Sequence, residues 1–197
     1  MTSDHTRYRF LTEHALALKG SLLIAMPKLS HSPFDHSVCY VCQHDELGAL
    51  GLLINQPIAM SVVDLFIDQG LKIAKDFPYQ PLLIGGPLQR ERGFVLHRQL
   101  GTWRTTLPIN EDFCITTSQD ILLTIAQQQN PKDFLIILGY AAWAPGQLEY
   151  EISQNHWLIA PATAELVFHT PYEQRWQKAI DSVHFNLAGL IEEAGHA

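Results

Sequence analysis

The chain has 197 residues, a net charge of −7 at neutral pH and 17% charged residues, against about 25% in ordinary soluble proteins. At roughly 150 residues per domain this is one domain, with a core large enough to fold without disulfides or a structural metal. The composition excludes a disordered acidic chain and a charge-laced coiled coil, and the negative field disfavours a nucleic-acid binder that works by counterion release.

The first 19 residues are polar and carry no secretory apolar segment, so they are expected to form an N-terminal extension to a domain over residues 20–197. Residues 21–26 are a short apolar run stopped by Pro27, the pattern of a buried strand. Residues 37–44 and 49–54 flank a short loop ending in Gly48 and predict a hairpin. Ser61 with Asp64 three positions later opens an apolar-periodic stretch, which predicts a helix over about 61–69 with Gly70 just beyond its end. Residues 82–84 are a short strand running into Gly85-Gly86-Pro87, and 93–97 with 102–106 look like a strand pair. Residues 113–117 add a strand, and Thr117 or Ser118 caps a helix through Gln128. Residues 134–142 are apolar on both faces, as a central covered strand must be. A helix follows Gly146, a strand covers 157–160, and a last helix covers about 172–184. Strands and helices do not alternate regularly, so the expected fold class is α+β, with a mixed sheet.

No phosphate-binding loop, dinucleotide fingerprint, nucleophile elbow or zinc-protease motif is present. With no recognised catalytic motif, the sequence leans away from an enzyme. Cys42 and His44 are the most chemical pair: at i, i+2 on a strand both side chains share a face, and an imidazole beside a thiol stabilises thiolate. Cys39 lies three positions earlier and faces the other way. The bland alternative makes Cys42 a small core residue. His97 and His36 are the only obvious further ligands, and no spacing recruits them, so no metal and no other cofactor is expected.

Gly85 and Gly86 offer successive N–H groups for an anion nest, or simply a tight turn. Arg90, Arg92, Arg98 and Arg104 are the one basic concentration, with Arg90 and Arg92 beside that turn. They suit an anionic ligand or an acidic partner, or form a solvated face. No helix-turn-helix or zinc-finger pattern accompanies them, so direct DNA binding is not expected. Glu149 and Glu151 sit near a helix start, where they complement the helix dipole. Trp143 and Trp157 flank that helix and suit a core or a cleft wall, so Trp143 joins the candidate ligand-binding residues. Three cysteines, an odd and low count, fit a reduced cytoplasm. The longest apolar run, residues 134–144, is shorter than the ~20 residues of a membrane crossing.

Several of these stretches form an ordered set: Leu23–Pro27, Phe34–His44, Gly48–Pro57, Gly85–Pro87, Arg92–His97, Thr116–Leu122, Gly139–Glu151 and Asn155–Pro161. The set resembles the AlgH/YqgE family of bacterial proteins over nearly the whole chain from about Gly20. The resemblance implies a cytosolic, single-domain α+β fold with a partly barrel-like sheet wrapped by helices. It places Cys42 and Gly85–Pro87 on family motif positions, while Cys39 and Cys114 fall outside the pattern. It implies no agreed activity, although one branch carries the label of a transcriptional regulator. The expectation is a regulatory protein that binds a small ligand or a protein partner and affects transcription indirectly. The alternatives are a thiol-based redox sensor and a cysteine-dependent enzyme using Cys42. The low charged fraction also fits a chain that hides surface in a homo-oligomer.

Overall fold

Local rules account for the first half of the fold. A computed structural model describes residues 18–98, 101 and 103–183. Strand β1 (Ser21–Ala25) is apolar on both faces and is closed by Pro27, which cannot continue a ladder. Strands β2 (Val38–Asp45) and β3 (Gly48–Leu53) form the expected hairpin, and the Asp45 carboxylate accepts the Leu47 N–H at 2.8 Å to shape the turn. Strand β4 (Pro57–Ser61) runs into helix α1 (Val62–Asp68). The expected capping box is complete: Ser61 Oγ accepts the Asp64 N–H at 3.1 Å, and the Asp64 carboxylate accepts the Ser61 N–H at 2.8 Å. The Ser61 hydroxyl, which donates to Asp64 Oδ2 at 2.7 Å, and the Ser61 N–H hold the Asp64 carboxyl below its ordinary pKa.

Strands β5 (Pro81–Ile84), β6 (Leu88–Arg98), β7 (Thr106–Pro108) and β8 (Phe113–Thr116) lead to helix α2 (Asp120–Ala126). Strand β9 (Phe134–Trp143), helix α3 (Gln147–Ser153) and strand β10 (Trp157–Pro161) follow. A π-helical turn at Glu165–His169, a 3₁₀ turn at Tyr172–Gln174 and helix α4 (175–183) complete the described residues.

All ten strands join one sheet in the order β10-β1-β2-β3-β9-β6-β8-β7, with β5 pairing parallel to β9 and β4 pairing to β5. Every other pairing is antiparallel. The sheet curls into a half-barrel, a single α+β domain. Its interior is filled by Leu22, Tyr40, Leu52, Phe94 and Ile137 and closed by Val167 and Ala179 from the C-terminal segment. On the outer face of β1–β3, α3 packs its Leu148 among Leu23, Cys39, Val41, Trp143 and Trp157. Helices α1 and α2 cover Val95 and Ile136 with Val62, Phe66, Ile121 and Ile125.

Four expectations change. The pair 93–97 with 102–106 does not form: β6 is longer, pairs with β8 and β9, and leaves β7 to pair with β8 alone. The strand expected from residue 93 begins at Leu88; its added first half is exposed, polar and out of regular register with β9. Strand β4 is an addition directly after the predicted hairpin strand 49–54, where no element was expected before the helix at about 61; Pro57 is its first residue, a position where a missing N–H costs nothing. Helix α2 starts after Gln119 without a side-chain cap from Thr117 or Ser118. The proposed extension 1–19 lies outside the described residues except for Leu18, which is buried in the β1–β3 outer core, and Lys19.

Arg175 locks α4 onto the barrel. Its side chain is 1% exposed, donates from Nε to the Thr170 carbonyl at 2.9 Å and from Nη1 to the Ile54 carbonyl, and lies 4.3 Å above the Tyr172 ring. Burial pulls its guanidinium down to about 10, so it stays charged at neutral pH. Arg175→Met leaves both carbonyls without this donor and is expected to cost about 2–4 kcal/mol in urea unfolding. A loss below about 1 kcal/mol would contradict this role.

Candidate functional site

The thiol–imidazole pair is the first candidate, and the strand separates it. Val41 pairs with Gly51 and Gln43 with Leu50, so Cys42 is the extra residue of a β-bulge. Cys42 therefore faces the barrel interior with Tyr40, whereas His44, opposite Ala49, faces the outer core. The expected shared face fails because regular alternation stops at the bulge. Cys42 is buried, its Sγ lies 3.7 Å from the Tyr40 carbonyl, and burial pushes its thiol well above the ordinary value. His44 Nε2 instead sits 3.1 Å from Glu149 Oε1 on α3. Cys39 and Cys42 have the spacing of a redox dithiol, but they occupy opposite cores, and all three cysteines are buried and free.

The Trp143 cluster is a clamp. One oxygen of Glu151, Oε2, accepts both the Trp143 and the Trp157 indole N–H, at 2.9 and 2.8 Å. The other accepts Gln147 Nε2 at 2.9 Å, and Gln147 Oε1 accepts the Ala144 N–H at 3.0 Å. Phe34 packs edge-on to Trp157 and stacked on Trp143. Trp143 is buried, with its donor committed to Glu151. Spacing alone suggested only a dipole role for Glu151. That one carboxylate joins two indoles 14 positions apart was not visible in the sequence.

The Gly85-Gly86-Pro87 turn packs backbone against backbone. A Cβ at Gly85 would meet the Gly139 carbonyl at 2.3 Å, and one at Gly86, whose φ is +154°, would meet Tyr140 at 2.3 Å. The Gly85 N–H donates to the Leu138 carbonyl at 2.8 Å, and the Gly85 carbonyl accepts the Leu53 N–H at 2.9 Å. These glycines hold the sheet, and the Gly85 N–H is not turned toward a ligand.

Beside this turn lies a cleft of about 240 Å³. Pro33, Gln56, Pro57, Ile58, Gly86, Pro87 and Arg90 line it, with Leu53 and Ile84 at its base. Four separate stretches thus meet: the 32–36 loop, the β3–β4 junction, the Gly-Gly-Pro turn and the protruding start of β6. Asn55 fixes two of them to each other, because its Oδ1 accepts the Val38 N–H and its Nδ2 donates to the His36 carbonyl, both at 2.8 Å. Three prolines add stiff apolar wall without N–H donors. Arg90 is the one charged residue of the lining, and among the described residues no carboxylate lies within ion-pair distance of it.

Of the sequence candidates, Gly86 and Arg90 meet in this cleft and Gly85 supports it from beneath. Arg92 lies elsewhere, 5.2 Å above the Phe94 ring, as do Trp143, Cys42 and His44. Arg98 pairs with Asp112 at 3.2 Å, so the arginine run is divided among separate tasks. Pro33, Gln56 and Ile58 carry no local signal; only the fold brings them in. Among the described residues no group of three or more His, Cys, Asp or Glu is placed to hold a metal ion, and no helix is long and apolar enough to cross a membrane.

A family profile described as AlgH-like matches residues 22–188. The chain belongs to the AlgH-like family. It is 44% identical over 183 residues to a UPF0301 protein of Nitrosococcus oceani, covering 91% of this chain and 96% of that one. A UPF0301 protein of Legionella pneumophila strain Lens is 43% identical over 184 residues, covering 92% and 97%. The fold is similar to the solution structure of the AlgH protein from Pseudomonas aeruginosa, with TM-score 0.72, 40% identity, and 91% and 96% of the two chains covered. A crystal structure of a Corynebacterium diphtheriae protein shares the fold at TM-score 0.64 and 22% identity, covering 81% and 83%. The Arg90 cleft, the indole clamp and the glycine contact all lie inside the family span.

One buried relay in this AlgH-like domain disfavours a charged histidine. The Trp103 backbone N–H donates to Thr106 Oγ1 at 2.9 Å, and the Thr106 and Thr116 hydroxyls share a hydrogen bond at 2.8 Å. His97 Nδ1–H donates to the Arg98 carbonyl at 2.7 Å, so the neutral ring accepts at Nε2 from the Thr116 hydroxyl, 2.9 Å away. His97 is fully buried, and burial lowers its pKa from 6.5. Below about pH 6.5 the unfolded chain therefore binds this proton more readily than the folded one, and stability must fall as pH falls. Denaturant midpoints are expected to drop between about pH 7.5 and pH 5.5, with a shallower slope in His97→Gln. Equal slopes in the two proteins would contradict the relay.

Proposed function

We propose that this AlgH-like protein is a regulatory binding protein, and that it takes an anionic group, on a small ligand or on a segment of a partner protein, in the Arg90 cleft. The observation that carries this reading is the convergence of Pro33, Gln56, Pro57, Gly86 and Pro87 around one guanidinium that has no carboxylate partner among the described residues. A guanidinium so placed offers forked donors to a carboxylate or phosphate, and the surrounding walls are already rigid, so little ordering is needed on binding. Any effect on transcription is indirect in this reading. The net charge of −7 repels a phosphate backbone, and Arg92 and Arg98 are engaged at Phe94 and Asp112. The burial of Cys42 removes support from redox sensing and from cysteine catalysis, both of which need an accessible, acidic thiol.

Titration of ¹⁵N-labelled protein with benzoate tests the cleft. The expected result is saturable shifts at the Ile58, Gly86 and Arg90 amides, lost in Arg90→Gln. Benzoate that leaves these amides still, or binds Arg90→Gln equally well, overturns the assignment. In parallel, the protein is expected to leave a duplex DNA fragment unretarded at physiological salt; specific retardation would establish direct regulation instead.

A further inference from the structure

A second cavity, of about 220 Å³, lies between helices α1 and α2 and the sheet, and shares no lining residue with the Arg90 cleft. Its apolar surface comes from Leu65, Leu122, Ile136 and Leu138. Gln69, Thr117, Ser118 and Gln119 supply polar groups, and Glu91 is the one charged residue of the lining. At ~30 Å³ per water this is the space of about seven waters, enough for a small organic molecule.

Gly93 points to an occupant. A glycine inside a strand weakens it, and normally marks a positive φ, a close backbone neighbour or a ligand. Among the described glycines, Gly93 alone has neither a positive φ nor any atom within 4 Å of where its Cβ would stand. Gly85 and Gly51 are explained by contacts at 2.3 and 2.4 Å, and the others by positive φ. Gly93 lines this cavity between Glu91 and Val95 on β6, with open space where its Cβ would stand. Any larger residue there would occupy it.

We infer that this cavity is a binding site for a small molecule with a short apolar body and a protonated amine, and that Gly93 keeps it open. The charge of the lining favours an amine. Glu91 is the only ion in the lining, and among the described residues no cationic side chain lies within ion-pair distance of it. The neighbouring arginines turn elsewhere, Arg92 over the Phe94 ring and Arg90 into the other cleft. The side-chain amides and hydroxyls around the rim serve as acceptors for the remaining N–H groups.

The probe is phenethylamine, with phenylacetate as the same body bearing the opposite charge, both titrated into ¹⁵N-labelled protein. Phenethylamine is expected to shift the Gly93, Thr117 and Gln119 amides saturably, and phenylacetate to bind there at least about tenfold more weakly. Glu91→Gln, an exposed change, is expected to weaken the amine by about threefold to fivefold. Gly93→Leu, which fills the space, is expected to abolish the shifts while the rest of the spectrum keeps its dispersion. Leu122→Phe, which fills it from the opposite wall, must weaken binding as well, so a misfolded Gly93→Leu does not shelter the proposal. Absence of saturable shifts, equal binding of phenylacetate, or wild-type affinity in Leu122→Phe overturns it. Because benzoate at the Arg90 cleft reports on other amides, failure of one site is distinguishable from failure of the other.

Discussion

The backbone of Gly85–Gly86 lies against Gly139–Tyr140 with no room for a side chain between them. Strand β9 already pairs with β3 and β6, and at this contact it also takes β5 in parallel. The approach needs Gly139 at φ +75°, where a Cβ would stand 2.8 Å from the Leu88 carbonyl. Both candidate sites adjoin this junction or the strand that leaves it. The junction delivers Pro87 and Arg90 to the mouth of the cleft, aligns the β3–β4 junction opposite them, and lifts the start of β6 out of register. That irregular start then presents Glu91 and Gly93 to the cavity under α1 and α2, while Arg90 lines the cleft.

What the chain could say about itself follows from the range of each interaction. The β2–β3 hairpin and helix α1 were legible because Asp45, Gly48, Ser61 and Asp64 act on residues within a few positions. The apolar run of β9 announced a covered central strand. The bulge at Cys42 was not legible, since no Gly or Pro marks it, and it overturned the most chemical-looking pairing in the sequence. The polar opening of β6 hid a strand whose pairing is irregular. The cleft was legible only in part: Gly86 and Arg90 stood out by type, but Pro33, Gln56 and Ile58 join them solely through long-range packing. The ordered motifs that resembled the AlgH-like family contain the junction and its supports, including Asn55 and Glu151.

The distribution of reactive groups is consistent with recognition. The thiols, His97 and Arg175 are sealed, each with a packing or hydrogen-bonding task that burial makes costly to abandon. The groups left facing solvent-accessible hollows are a guanidinium in one and a carboxylate in the other, on neighbouring positions of one strand. A domain with two differently charged pockets on a shared strand is suited to responding to more than one ligand, and β6 is the element through which such responses would meet.

The central claim is that the glycines divide into those the fold requires and one the ligand requires. Equilibrium urea unfolding of Gly86→Ala beside Gly93→Ala tests it directly. Gly86→Ala must force backbone apart at the junction and is expected to lose about 2–4 kcal/mol or fail to fold. Gly93→Ala meets nothing and stiffens the unfolded chain, so it is expected to match wild type or gain up to about 1 kcal/mol. Wild-type stability in Gly86→Ala, or a loss in Gly93→Ala as large as in Gly86→Ala, would contradict the account.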